Sequence, residues 1–216
     1  MRERVEATPA RVVRLGKGLS TGAGVLEVAE RQYGGQVAAG DPRKGYYSYD
    51  VGAWHIVALN TNSACTTISC AAGSPQEEWL KADLAAHSTL CTLAYWHHPL
   101  YSSTGAVSTV SRALWQDLYD AGADVVLTGH AHSYERFAPQ NANGSLDPTR
   151  GMREFVVGTG GVSLQPSFTT IAPNSEVRNN TTYGVLRLVL RPSGYDWAFV
   201  PEAGATFNDS GSEACH

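Results

Sequence analysis

Apolar residues along the chain fall into short runs separated by Gly, Pro, Asn and Ser, and the spacing inside each run changes from one part of the chain to the next. In "GYYSYDVGAWHIVALNTN" two aromatic and β-branched runs flank Asp50-Val51-Gly52-Ala53, which predicts a hairpin or two neighbouring strands. "NTNSACTTISCAAGS" is rich in turn formers and reads as loop. Ser74-Pro75 then opens "PQEEWLKADLAAH" with an N-cap residue, a proline at the first helical position and acids in the first turn, which predicts a helix with Trp79, Leu80 and Leu84 on one face. "CTLAYWHH" follows as a strand, "SRALWQDLYDAGA" as a second amphipathic helix, and "DVVLTGHAH" as another apolar strand. Strand, helix, strand, helix, strand is the order that builds right-handed crossovers. "CTLAYW" and "DVVLT" are therefore expected to lie parallel and close together, in an α/β fold.

After residue 153 the character changes. "REFVVGTGG", "YGVLRLVLRP" and "YDWAFV" are strand-like runs broken by Gly, Pro and Asn, the pattern of an antiparallel set. Residues 1–40 show no clean period and read as a weakly structured leader, with a short helix around "GVLEVAERQ". No repeat or low-complexity tract interrupts the 216 residues, a length and 43% apolar content that suit one core.

Charge and length narrow the function classes. A net charge of −4 without a clustered basic stretch argues against nucleic acid as a partner. The longest apolar runs are far below the roughly 20 residues of a membrane span. The first residues carry charge but no apolar core or small-residue cleavage site, so the reading is no signal peptide and no membrane partner. Four cysteines form an even set without metal-type CxxC spacing, and Cys215 sits one residue from the end. The favoured pairing is Cys65–Cys70 and Cys91–Cys215, which suggests an oxidising compartment; the alternative is four buried free thiols.

The candidate chemistry sits where the two parallel strands end. His97-His98 follow "LAYW", and His130-Ala131-His132 follow "VVLTG", so four of the seven histidines lie at strand carboxyl ends, the edge at which open α/β sheets collect ligands. Histidines two apart in an extended segment point to one side, and Gly129 allows a tight turn before them. A lone histidine is usually a hydrogen-bonded core or surface residue; two clusters at adjacent strand ends favour metal ligation. Three neutral imidazoles suit one zinc with an open position, whereas two metals call for bridging carboxylates. Asp41, Asp50, Asp83, Asp124 and Glu135 are the further donors, none in a ligand motif of its own and most of them placed as turn, cap or surface residues.

"YWHHPLYSS" and "VVLTGHAHSYERFAP" resemble the last two conserved blocks of the calcineurin-like metallophosphoesterases, in the branch of the purple acid phosphatases and related bacterial secreted phosphatases. "KGYYSYDVGAWHIVALNTN", "SPQEEWLKADL" and "EFVVGTGG" are similar to that branch too, so the resemblance covers about residues 40–216. It implies metal-dependent hydrolysis of phosphoric esters by a binuclear Zn, Fe or Mn centre in an α/β/β/α sandwich. His97 corresponds to the ligand of a His-x-Pro block, with His98 at the variable position, where it either donates a hydrogen bond to substrate phosphate or the leaving oxygen, or stands behind the ligands or in solvent without touching substrate. His130 corresponds to a ligand of the metal shared with His97, His132 to a ligand of the other metal, and Tyr134, Glu135 and Arg136 to supports of the ligand loop.

The family's amino-terminal Asp-x-His, Gly-Asp and Gly-Asn-His blocks do not occur here, and the 40 residues before Asp41 contain no Asp, Asn or His. The resemblance therefore implies a partial sandwich lacking the amino-terminal βαβ half: a poorly defined leader over 1–40 and the carboxyl-terminal half of the domain over 41–216. From this follow weakened or absent binuclear activity, one metal at most, and self-association through uncovered sheet. The alternative is a non-catalytic fragment or binding module with a vestigial or mononuclear histidine site. The intact relatives' setting is extracellular or periplasmic, with a phosphate ester as substrate.

Overall fold

The computed structural model describes residues 11–16, 25–26, 41 and 43–216. Strand β3 (Tyr47–Val51) turns at Gly52, whose φ of +64° suits a residue without Cβ, and pairs antiparallel with β4 (Trp54–Ala58). Helix α1 (Pro75–Ala86) starts as its signals require: the Ser74 side chain accepts from the Glu77 backbone N–H. Then come β5 (Cys91–Tyr95), α2 (Arg112–Asp120) and β6 (Val125–Thr128). β4, β5 and β6 run parallel, in register Trp54↔Cys91 and Leu93↔Val125.

The run over 153–157 departs from the expected antiparallel set. β8 (Arg153–Val157) lies parallel to β6, with Val125 opposite Arg153, because the loop after β7 (Tyr134–Phe137) carries the chain back to the amino end of the sheet. β7 and β9 (Ser175–Asn179) complete a seven-stranded sheet in the order β3-β4-β5-β6-β8-β7-β9. The antiparallel set is a second sheet, β12-β11-β10-β1-β2, built on β10 (Gly184–Arg191), β11 (Gly194–Pro201), β12 (Ser210–Ala214), β1 (Arg11–Gly16) and β2 (Val25–Leu26). Val25–Leu26 is strand where a helix was expected; the rest of that expected helix lies outside the described residues.

The two sheets face each other across one core, in which Trp54, Ile56, Leu93 and Phe155 of the first meet Leu186, Leu188, Trp197 and Phe199 of the second. Alternate residues of the first sheet, Val57, Ala94 and Val126, point the other way onto Leu80 of α1 and Leu114, Trp115 and Leu118 of α2. Buried on both faces, β4, β5 and β6 are nearly all apolar, as parallel strands between layers must be. Helices, seven-stranded sheet and five-stranded sheet give three of the four layers of the expected sandwich among the described residues. Both favoured disulfides form, Cys65–Cys70 and Cys91–Cys215. No described helix is long and apolar enough to cross a membrane.

Candidate metal centre

The topology puts the carboxyl ends of β5 and β6 side by side, and each strand runs straight into its histidines. Backbone bonds lock the two exits together: Trp96 N–H donates to the Leu127 carbonyl at 3.1 Å and Gly129 N–H to the His97 carbonyl at 3.0 Å. Across this clamp His97 Nε2 lies 3.1 Å from His130 Nδ1, with ring centroids 5.0 Å apart. The His98 ring is 4.4 Å from that of His130 and 4.7 Å from that of His97. One nitrogen from each of the three falls within 4.8 Å of the others.

His130 has φ 46°, so the segment is not extended and the geometric reason for expecting His130 and His132 on one side does not apply. His130 turns to His97, while His132 Nδ1 meets the Ser163 carbonyl at 3.0 Å. A carbonyl only accepts, so Nδ1 carries the proton and Nε2 keeps a lone pair, the usual arrangement behind a ligating imidazole. Burial lowers the pKa of His130, with His132 adding to the effect. Burial also lowers that of His98, the His130 ring adding to it and a hydrogen bond to the Thr61 backbone opposing it. Rings held neutral in this way are competent ligands.

Glu135 holds the two histidine segments to each other. It is fully buried, and its carboxylate accepts from Ser103 N–H at 2.8 Å and from the hydroxyls of Ser102, Ser103 and Ser175. Its neighbours face the other sheet, where Tyr134 OH donates to Asp209 at 2.7 Å and Arg136 Nε to the same carboxylate at 2.7 Å. Tyr134-Glu135-Arg136 thus buttresses the loop. The remaining donors are engaged elsewhere: Asp41 with Arg43, Asp50 and Asp83 with His55, and Asp124 with the backbone N–H groups of Thr92 and His216. Among the described residues the imidazole group contains no carboxylate. Such a donor set fits one borderline cation such as zinc and lacks the negative charge that a bridged pair requires.

Among the described residues two other groupings hold ligand-type atoms within the same distance: Asp50, His55 and His87 at the opposite end of the strands, and Cys91 and Cys215 of the disulfide with Asp124. Thr61, whose hydroxyl meets His98, and Ser163 are contacts that no motif announces. The one signal for Thr61 is its place just beyond the carboxyl end of β4, on the edge shared with β5 and β6.

No protein-family model matches the chain. "Purple acid phosphatase 15" of Arabidopsis thaliana is 37% identical over 123 residues, 54% of this chain and 22% of that protein. "Purple acid phosphatase 22" of the same plant is 35% identical over 123 residues, 54% of this chain and 27% of that protein. The chain thus spans about a quarter of the length of these relatives. Among solved structures, purple acid phosphatase PPD1 from yellow lupin seeds superposes with a TM-score of 0.71 at 21% identity, over 82% of this chain and 34% of that one, a likeness of fold. The sequence relatives and the shared fold point the same way: the chain is similar to a carboxyl-terminal portion of the purple acid phosphatases, a branch of the calcineurin-like metallophosphoesterases.

Proposed function

We propose that the chain carries the histidine ligands of a metal-dependent phosphoric ester hydrolase, with His97, His130 and His132 as the ligands and residues 41–216 as the portion of the domain that holds them. The observation that carries this reading is the 3.1 Å approach of His97 Nε2 to His130 Nδ1 from the ends of two different strands. Two imidazole nitrogens at that distance share a single proton, and a cation can take its place. When bound, the metal supplies a Lewis acid and lowers the pKa of its water. The chain's own residues do the rest: the β5–β6 clamp and Glu135 fix the ring positions, the Ser163 carbonyl orients His132, and His98 donates to a phosphate oxygen. The two disulfides support an extracellular or periplasmic setting.

Turnover by the chain alone is weak or absent in this reading, since among the described residues no carboxylate joins the imidazole group to balance a second cation. That same all-nitrogen donor set favours the second reading, a mononuclear site in a binding module. Metal content, measured with the rate on a chromogenic phosphomonoester, separates them. Two metals with turnover establish a working binuclear centre, one zinc without turnover the mononuclear site, and no metal at all overturns both. His97→Ala is expected to weaken zinc binding by roughly 100-fold or more, beyond the 10- to 100-fold typical of removing a partner behind a ligand. Unchanged affinity would remove His97 from the site.

A further inference from the structure

At the far end of the same strands, donors of another kind converge from three elements. Asp50 stands near the end of β3, His55 on β4 and His87 at the carboxyl-terminal cap of α1. One ligand-type atom from each falls within 4.8 Å of the others. His55 Nδ1 and Asp50 Oδ1 are 2.9 Å apart, near the separation of about 3.3 Å between neighbouring ligands of a tetrahedral zinc with bonds of about 2 Å. The His55 side chain is buried, that of Asp50 exposed and that of His87 partly exposed, so the group is anchored in the core and open to solvent on one side. Asp83 stands behind both rings, its own side chain only 8% exposed. Its Oδ2 lies 2.9 Å from His55 Nε2, its backbone carbonyl accepts from His87 Nδ1 at 2.8 Å, and its Oδ1 accepts from the Ser48 hydroxyl at 2.8 Å. Each imidazole is thus gripped through one nitrogen by the same residue, as imidazoles behind a metal commonly are.

We propose that Asp50, His55 and His87 form a second metal site, one for zinc, remote from the histidines at the carboxyl ends of β5 and β6, with Asp83 as the positioning residue behind its imidazoles. Two imidazoles and one carboxylate are a recurrent donor set for zinc that keeps an open position for water. The cation takes the place of the proton between His55 Nδ1 and Asp50. The His87 ring, stacked on that of His55 at 4.4 Å, tilts off the stack to close on it, which its partly exposed position permits. Two carboxylates balance the charge, Asp50 beside the cation and Asp83 behind His55, whereas among the described residues the imidazole group at the other edge has none. The site shares no residue with that group and does not depend on the hydrolase reading.

The test measures zinc binding to the untagged full chain by equilibrium dialysis, in the wild type and in His97→Ala, which disables the other site. The His97→Ala protein is expected to keep one zinc, with two imidazoles in its shell by X-ray absorption. Adding His87→Ala or Asp50→Asn, both at solvent-facing positions that leave the core intact, should weaken that zinc at least tenfold. Asp83→Asn should weaken it by roughly 10- to 100-fold, the loss typical of a partner behind a ligand. A His97→Ala protein that holds no zinc, that holds it as tightly after His87→Ala and Asp50→Asn, or that holds it without imidazole would overturn the second site. Unchanged affinity in Asp83→Asn would refute the positioning role. Failure of the hydrolase reading would look different: wild type and His97→Ala would bind the same single zinc, and the site at Asp50, His55 and His87 would stand.

Discussion

The contacts of His55 give the protein a pH dependence whose sign can be worked out. Its ring is buried between two carboxylates, Nδ1 2.9 Å from Asp50 and Nε2 2.9 Å from Asp83, and stacks on His87 at 4.4 Å. Burial disfavours the charged ring, but the hydrogen bonds and fields of Asp83 and Asp50 outweigh it, so the pKa rises above the ordinary 6.5. Asp83 is likewise penalised by burial, and its bonds from His55 and Ser48 bring it below 3.8. A raised histidine stabilises fully below its unfolded pKa and loses that contribution as pH climbs through the folded value. A lowered carboxylate stabilises above its unfolded pKa and loses the contribution as pH falls through the folded one. The two windows overlap in mild acid. His55→Gln is expected to cost roughly 3 kcal/mol near pH 5.5, in line with breaking a buried pair, and less at pH 9. Urea unfolding of both proteins at the two pH values measures this, and an equal cost at both would disprove the charged pair. "YDVGAWH" and "KADL" gave no hint of it, because the partners come from a hairpin and from a helix that packing alone brings together.

Elements announced themselves in proportion to how much of their own stability they encode. α1 carries its start in Ser74, Pro75, Glu77 and Glu78, and β5 and β6 carry continuous apolar runs because both of their faces are buried. β12, reading "SGSEA", holds no large apolar residue and is strand only through its pairing with β11. A Cβ on Gly211 there would stand 2.3 Å from Cζ2 of Trp197, so that glycine exists to admit the ring. Gly158 has the same meaning at the candidate site: a Cβ would come within 2.0 Å of the Ala131 carbonyl oxygen, between His130 and His132. Gly158→Ala is therefore expected to destabilise the fold by about 1–3 kcal/mol and to loosen zinc binding by moving the histidine loop. Differential unfolding and zinc titration check it, and an undisturbed protein would show that the loop yields freely.

Over the whole molecule the longest covalent tie is Cys91–Cys215, which joins residues 124 apart and fastens β12 and the tail to the start of β5. In the chain-entropy account a loop of that length contributes on the order of 4–5 kcal/mol, less any native strain. The double variant Cys91→Ala, Cys215→Ala should lose about 2–5 kcal/mol in urea unfolding. The imidazoles stand at the other end of β5, so zinc affinity should be largely retained; a variant as stable as the wild type would show that the tail is held by its sheet pairing alone. The linear pattern was enough for the helices, the buried parallel strands, the placing of four histidines at strand ends and the choice of disulfides, since each rests on local periodicity, capping or topology. It could not say that β8 joins the parallel sheet, that His130 bends back to His97, or that the Thr61 hydroxyl meets His98 Nδ1. Those outcomes depend on which backbone and side-chain groups, distant along the chain, are brought within hydrogen-bond reach, and that is decided by the closing of two sheets around a common core.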